Sequence, residues 1–239
     1  MTETIKGSVV LITGATGAIA QALIVGLVAR GAAKIYGAAR DPSALAAFPH
    51  LVPIKMDVTS DEDVAKAAAI ATDVTLLINN AGVNHNTGFM VAPDLAIARE
   101  EIEANYLAPL RVTRAFAPAL IRNQGAVLNL LTILARVNLP FMGSYCASKA
   151  AALSLTQGLR GELLPKGVRV AAALPGAVDT RMTAGLPIPK MTTADAAVEI
   201  LDGFEAGEEE IYVGDMARDL AQGLAHDPKA VERQLASPG

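Results

Sequence analysis

Tyr145 and Lys149 stand four residues apart in Gly143-Ser144-Tyr145-Cys146-Ala147-Ser148-Lys149-Ala150-Ala151-Ala152-Leu153, a run with the Ala and Leu content of a buried helix. Residues at that spacing share one helix face, so a phenol and an ammonium project together. A free phenol titrates at about 10, and a cation close by favours its ionised form and lowers that value. The pair therefore reads as a proton-transfer device. Taken alone it says little, because Tyr and Lys at this spacing are common on solvated helices.

Something must hold such a pair against a substrate, and the surrounding chain alternates strand and helix. Residues 8–13 form a short, β-branched, almost wholly apolar run, the pattern of a parallel strand buried on both faces. Gly14-Ala15-Thr16-Gly17 punctuates it, and residues 19–30 follow as a helix closed by Gly31. Further strands are predicted at 33–38, 51–56, 74–78, 126–131, 169–174 and 210–214. Thr59-Ser60-Asp61-Glu62-Asp63 supplies N-cap residues and first-turn acids for a helix, and Thr192 or Thr193 opens another over 193–206. Strands separated by helices require right-handed crossovers and a parallel sheet covered on both faces, so the fold class is α/β, a doubly wound Rossmann sheet in a single domain over 1–239. Ligands in that architecture sit beyond the carboxyl ends of the strands.

Composition narrows the function further. With 239 residues and a net charge of −4, and without a basic run, neither nucleic acid nor an anionic membrane is an expected partner. The single cysteine, Cys146, permits no intrachain disulfide and fits a reducing cytoplasm. Residues 1–7 lack the regions of a signal peptide, and no apolar run has the length of a membrane span. His50, His85 and His226 lie too far apart for metal-ligand spacing, and no metal is expected.

The turn after the first strand, where Gly permits close backbone approach and the next helix presents its N–H groups, suits a pyrophosphate as well as it suits an ordinary turn. Four segments taken in order carry more: Thr13-Gly14-Ala15-Thr16-Gly17, Asn79-Asn80-Ala81-Gly82, Tyr145-Cys146-Ala147-Ser148-Lys149 and Pro175-Gly176-Ala177-Val178-Asp179-Thr180. Together they resemble the short-chain dehydrogenase/reductase family, classical type, over residues 6–180. The chain departs from the family's Thr-Gly-x-x-x-Gly-x-Gly pattern, carrying Ala18 and Ala20 at the second and third glycine positions. The spacing Gly14-x-x-Gly17-x-x-Ala20 looks like the extended subgroup of epimerases and dehydratases, whereas the short chain and Asn79-Asn80-Ala81-Gly82 favour the classical one.

The resemblance implies a nicotinamide cofactor held by Gly14, Thr16, Gly17, Ala18 and Ile19 at the pyrophosphate and by Asp57 and Val58 at the adenine edge. Asn80, Ala81 and Gly82 would lie along the adenosine ribose, and Pro175, Gly176, Val178 and Thr180 beside the nicotinamide. At the end of the second strand Ala39 replaces the acid of NAD-preferring members and Arg40 follows, which points to NADP, with NAD the lesser alternative. Arg40 paired with Asp41, or Asp41 reaching the ribose, is the competing reading.

By the same resemblance the catalytic set is Asn105, Thr132, Tyr145 and Lys149. Thr132 falls thirteen residues before Tyr145, at the position of the family's serine, and keeps the hydroxyl. Pro109, four residues after Asn105, has no N–H, so the helix is expected to kink and free the Asn105 carbonyl for a proton-relay water. Residues 181–190 are predicted as a substrate loop and 215–239 as a peripheral C-terminal segment. Leu134, Val137, Leu139, Phe141, Met142, Met182 and Leu186 are candidates for an apolar pocket. The expected activity is an NADPH-dependent carbonyl reductase or alcohol dehydrogenase acting on a small carbonyl or alcohol substrate, as a homo-oligomer (dimer or tetramer). The alternatives are an NADP(H)-binding sensor or scaffold with weak or no catalysis, and an extended-type epimerase that retains NAD.

Overall fold

The computed structural model describes residues 4–45 and 48–236; Met1, Thr2 and Glu3 of the N-terminal reading and the last three residues of the C-terminal segment lie outside the described residues. Seven strands, β1 (Val9–Thr13), β2 (Lys34–Ala39), β3 (Leu51–Lys55), β4 (Leu76–Asn79), β5 (Ala126–Leu130), β6 (Arg169–Pro175) and β7 (Glu210–Val213), form one parallel sheet in the order β3-β2-β1-β4-β5-β6-β7. β1 pairs with β2 on one side and with β4 on the other, so the winding direction reverses between β1 and β4. A crevice opens above their carboxyl ends at such a reversal.

The helices are α1 (Ala18–Ala29), α2 (Asp61–Ile70), α3 (Ala96–Ile102), α4 (Ala108–Arg122), α5 (Gly143–Leu163), α6 (Thr193–Glu205), α7 (Asp215–His226) and α8 (Pro228–Ala236). Strand side chains alternate between faces, and here both faces are covered, which is why the strands read as continuous apolar runs. Val10 and Ile12 of β1 pack with Leu23 and Leu27 of α1 and with Ile200 and Phe204 of α6. Leu11, between them, packs on the other side in the layer of Val64 from α2, Phe116 from α4 and Leu159 from α5. Ser60 caps α2 by accepting from the Asp63 N–H at 3.2 Å, and Thr192 caps α6 through the Asp195 N–H at 3.1 Å.

The helix expected to kink around Asn105 is resolved differently. Between α3 and α4 a π-turn, Glu103–Leu107, is inserted, and Pro109 falls in the first turn of α4. Pro109 has no N–H to return to Asn105, and the wider turn carries the chain past the missing bond without breaking it. Among the described residues no helix is long and apolar enough to cross a membrane, and no group of three or more His, Cys, Asp or Glu could hold a metal ion.

Candidate active site

The end of β1 builds the first wall of the crevice. Gly14 has φ +63°, and a Cβ there would stand 2.9 Å from the Ala81 Cα, so only glycine fits. Its carbonyl accepts from the Gly17 N–H at 2.9 Å, closing the turn. Gly17 precedes α1 without a side-chain cap, and no acid stands in the first turn, leaving the positive end of the helix open to an anion beside Thr16, Ala18 and Ile19. Ala18 opens that helix and Ala20 is fully buried in it, so the methyls that replace two glycines are accommodated by ordinary helical backbone. The Thr13 hydroxyl accepts from the N–H groups of Asn80 and Ala81, both at 3.0 Å, and the Asn80 amide returns a bond to the Thr13 carbonyl at 2.9 Å. These bonds lock the β4 turn, Asn80-Ala81-Gly82, against the β1 turn. The residues present fit a dinucleotide: a glycine cradle a methyl would fill and an uncapped helix start beside it.

At the end of β2, Asp41 does not pair with Arg40. Its carboxylate accepts from the Ser43 N–H at 3.0 Å and the Ser43 hydroxyl at 2.6 Å, bonds that hold it below the usual carboxylate range. Arg40 is exposed beyond the buried Ala39. Asp57, after β3, accepts from the N–H and hydroxyl of Thr59 at 2.9 and 2.7 Å, which likewise lowers its carboxyl, and half-buried Val58 follows. Pro175, the last residue of β6, is buried, as is Val178 beyond it, and Gly176 lies where a Cβ would meet the Met216 Cβ of α7 at 3.0 Å. The Thr180 N–H donates to the Thr183 hydroxyl at 3.2 Å, and that hydroxyl donates to the Val178 carbonyl at 2.5 Å, tying the start of the predicted substrate loop to the strand end.

The four predicted catalytic residues all lie in this region and are all buried. Tyr145 and Lys149 share α5, with the ammonium 5.9 Å from the Tyr145 ring centre. The Lys149 Nζ donates to the Leu130 carbonyl at the end of β5, at 3.0 Å. Asn105 is pinned on three sides: Oδ1 accepts from the Val83 N–H at 2.9 Å, and Nδ2 donates to the Val83 carbonyl at 2.8 Å and to the Ser148 Oγ at 2.9 Å. Ser148 in turn donates to the Tyr145 carbonyl at 2.7 Å, so the π-turn is joined to the turn of α5 that carries the phenol. A Cβ on Gly82 would stand 2.8 Å from Asn105 Oδ1 and 3.4 Å from Lys149 Nζ, which places the β4 turn against both. The Thr132 hydroxyl donates to the Pro175 carbonyl at 3.2 Å and accepts from the Leu134 N–H at 3.3 Å, capping the short turn Ile133–Ala135.

One electrostatic expectation is corrected. Lys149 does not lower the Tyr145 phenol in this structure: burial first, then the charges of Cys146 and Glu101, push it above the usual tyrosine range. Burial also brings the Lys149 ammonium down to about 8. Desolvation disfavours the charged form of each and outweighs a cation aimed at a backbone carbonyl.

Around the phenol the surface is apolar. Met142 and Cys146 pack with Tyr145, and Leu134, Leu139 and Leu186 lie against them. Phe141 and Met182 are exposed at 46% and 37%, forming an outer rim, while Val137 stands apart from this cluster. The loop after β4 reaches the same rim, since the Asn86 amide donates to the Met182 carbonyl at 3.3 Å and the Phe89 ring covers Gly143. His85 is a loop residue whose ring faces Glu100 at 3.0 Å.

Three contributors escaped the sequence reading. Ser148 and Thr13 lie inside the motifs, but their bonds cross to elements 43 and 67 residues away. Glu101, on α3, is 1% exposed and accepts from the Ser144 hydroxyl next to Tyr145. A Glu within a charged run reads as solvated, and no local signal marked it.

The chain matches the family described as short chain dehydrogenase over residues 8–189. A short chain dehydrogenase from Burkholderia cenocepacia, solved in complex with NADP, is 46% identical and superimposes with a TM-score of 0.95 over 99% of this chain and 100% of its own. The serine 3-dehydrogenase of Agrobacterium fabrum is 29% identical over 93% of this chain and 89% of its own length. A short-chain dehydrogenase of Penicillium ochrochloron, ptmH, is 33% identical over 72% of this chain. The chain spans 66% of that relative's length, and 42% and 48% of two further curated relatives. A glycine-lined crevice at the reversal of a parallel sheet, with a buried Tyr and Lys across it, agrees with these likenesses: the chain belongs to the short-chain dehydrogenase/reductase family, classical type.

Proposed function

We propose that the protein is an NADPH-dependent carbonyl reductase, in reverse an alcohol dehydrogenase, for an apolar ketone, aldehyde or secondary alcohol. The observation that carries this reading is the Tyr145 phenol, packed among Met142, Leu134, Leu139 and Leu186 on the helix turn that Ser148 joins to Asn105. A buried proton donor with an apolar rim suits a carbonyl carried on an apolar body. NADP is supported by the exposed Arg40, by the commitment of Asp41 to Ser43, and by the NADP bound to the Burkholderia relative.

Bound dinucleotide supplies the hydride, or accepts it from the alcohol. Gly14, Thr16, Gly17, Ala18 and Ile19 would receive the pyrophosphate, Arg40 the 2′-phosphate, and Asp57 and Val58 the adenine edge. Asn80, Ala81 and Gly82 would lie along the adenosine ribose, and Pro175, Gly176, Val178 and Thr180 beside the nicotinamide. Tyr145 Oη donates the proton to the carbonyl oxygen, and its high affinity for that proton when buried keeps the donor form populated at neutral pH. Lys149 would hold the nicotinamide ribose of the bound dinucleotide, and its ammonium charge on the helix face of Tyr145 would ease proton loss from the phenol. Asn105 holds the π-turn through which the proton is replaced from solvent, and Thr132 polarises the oxygen once its hydroxyl leaves the Pro175 carbonyl.

NADPH oxidation measured against a panel of ketones and aldehydes tests the assignment. Tyr145→Phe should abolish turnover while NADPH still binds, and full activity in that variant sinks the mechanism. A second reading, a cofactor-binding sensor, is favoured by the Thr132 hydroxyl being engaged with backbone at both its donor and acceptor sides. NADPH binding without oxidation by any carbonyl would replace the reductase with the sensor.

A further inference from the structure

Glu101 and Lys149 are the two deeply buried charged residues among the described residues, at 1% and 5% exposure. A carboxylate taken out of water is costly unless donors meet its oxygens. For Glu101 the donors are neutral: Oε2 accepts from the Ser144 hydroxyl at 2.5 Å, and Oε1 accepts from the His85 N–H at 2.9 Å. Ser144 lies in the first turn of α5, a helix of 21 residues that no side chain caps, so the carboxylate sits at its positive end. His85 belongs to the loop after β4, the loop whose Asn86 bonds to the Met182 carbonyl. One side chain of α3 thus grips both the turn that carries Tyr145 and the loop that reaches the substrate rim.

We propose that Glu101 is a positioning residue for the proton donor: its carboxylate anchors the first turn of α5 and the loop after β4, and so fixes where the Tyr145 phenol stands relative to the substrate rim. This inference rests on Tyr145 being the donor proposed above. The His85 ring is turned toward Glu100 at 3.0 Å, so it is the backbone N–H of His85 that meets Glu101.

The test compares Glu101→Gln, Glu101→Ala and Ser144→Ala by kcat and KM for reduction, by NADPH affinity, and by amide hydrogen exchange of residues 83–86 and 143–146. In Glu101→Gln the amide oxygen can still accept from the His85 N–H and the NH₂ can donate to the Ser144 oxygen, so the anchor is kept and most of kcat should remain. Glu101→Ala removes both bonds and should speed exchange in the two segments. Ser144→Ala keeps the charge and removes the anchor: kcat should fall about tenfold, the scale of a displaced donor group, with NADPH affinity unchanged. Wild-type kcat in Ser144→Ala, or wild-type exchange of residues 83–86 in Glu101→Ala, overturns the anchoring. Should Glu101→Ala not fold, kcat and exchange in Ser144→Ala decide. The exchange measurement needs no substrate, so it can overturn this inference while reductase activity stands, and it stays readable if no carbonyl is reduced.

Discussion

Replacing Lys149 by methionine should stabilise the cofactor-free protein while destroying its activity. The ammonium is 5% exposed, and burial brings it down to about 8, against 10.5 for an ordinary lysine. Since the folded state binds this proton less tightly than the unfolded chain, the charged form is a penalty on folding. The penalty is complete below about pH 8, shrinks as the pH rises from 8 toward 10.5, and is gone above that range. At ~1.4 kcal/mol per unit, a displacement of this size corresponds to about 3 kcal/mol at pH 7. Methionine is close in volume and carries no charge, but it leaves the Leu130 carbonyl without its donor, a loss of about 1 kcal/mol. The net gain is about 2 kcal/mol, or roughly 4–8 °C in Tm for a chain of this size. Thermal melts of both proteins from pH 6 to 10.5, without NADPH, read it directly. The advantage of Lys149→Met should be largest at pH 6–7 and vanish by about pH 10. A variant that melts below the wild type at pH 7, or a difference independent of pH, would refute the account of a costly buried ammonium.

Three further outcomes follow from the same geometry. Gly82→Ala would drive a methyl to 2.8 Å from Asn105 Oδ1 and 3.4 Å from Lys149 Nζ, so kcat should fall by up to about 10²-fold, and wild-type kcat in this variant would show that the β4 turn does not set the site. Thr132→Ser should retain activity and Thr132→Ala should lose about 10²–10³ in kcat; equal rates in the two would show that the hydroxyl serves only the Pro175 and Leu134 backbone. Arg40→Ala should lower kcat/KM for NADPH far more than for NADH, because a neutral side chain no longer meets a 2′-phosphate, and a ratio unchanged from wild type would remove Arg40 from cofactor choice.

The strands were readable because each is a local apolar run: β1, β5 and β6 begin or end within a residue of where their Val, Leu and Ala residues place them. Gly14 was readable because a turn with φ +63° and a neighbour at 2.9 Å admits no side chain, and its place after the first strand is a matter of order along the chain. The break around Asn105 was foreseen from Pro109, but its form was not, since a kink and a π-turn answer the same missing N–H and neighbouring elements choose between them.

Tyr145 and Lys149 show where sequence stops. Their spacing determined that phenol and ammonium share a helix face, and the ordered motifs determined the family and the sheet. Whether the cation would lower the phenol was decided by burial and by the Leu130 carbonyl, which claims the ammonium from a strand 19 residues upstream. Only the tertiary structure could turn Ser148 toward Asn105, Ser144 toward Glu101 and Thr132 toward Pro175, each pair 43 residues apart. Residue types and spacing are local properties of a chain; desolvation and hydrogen-bond partners arise only when distant segments pack together.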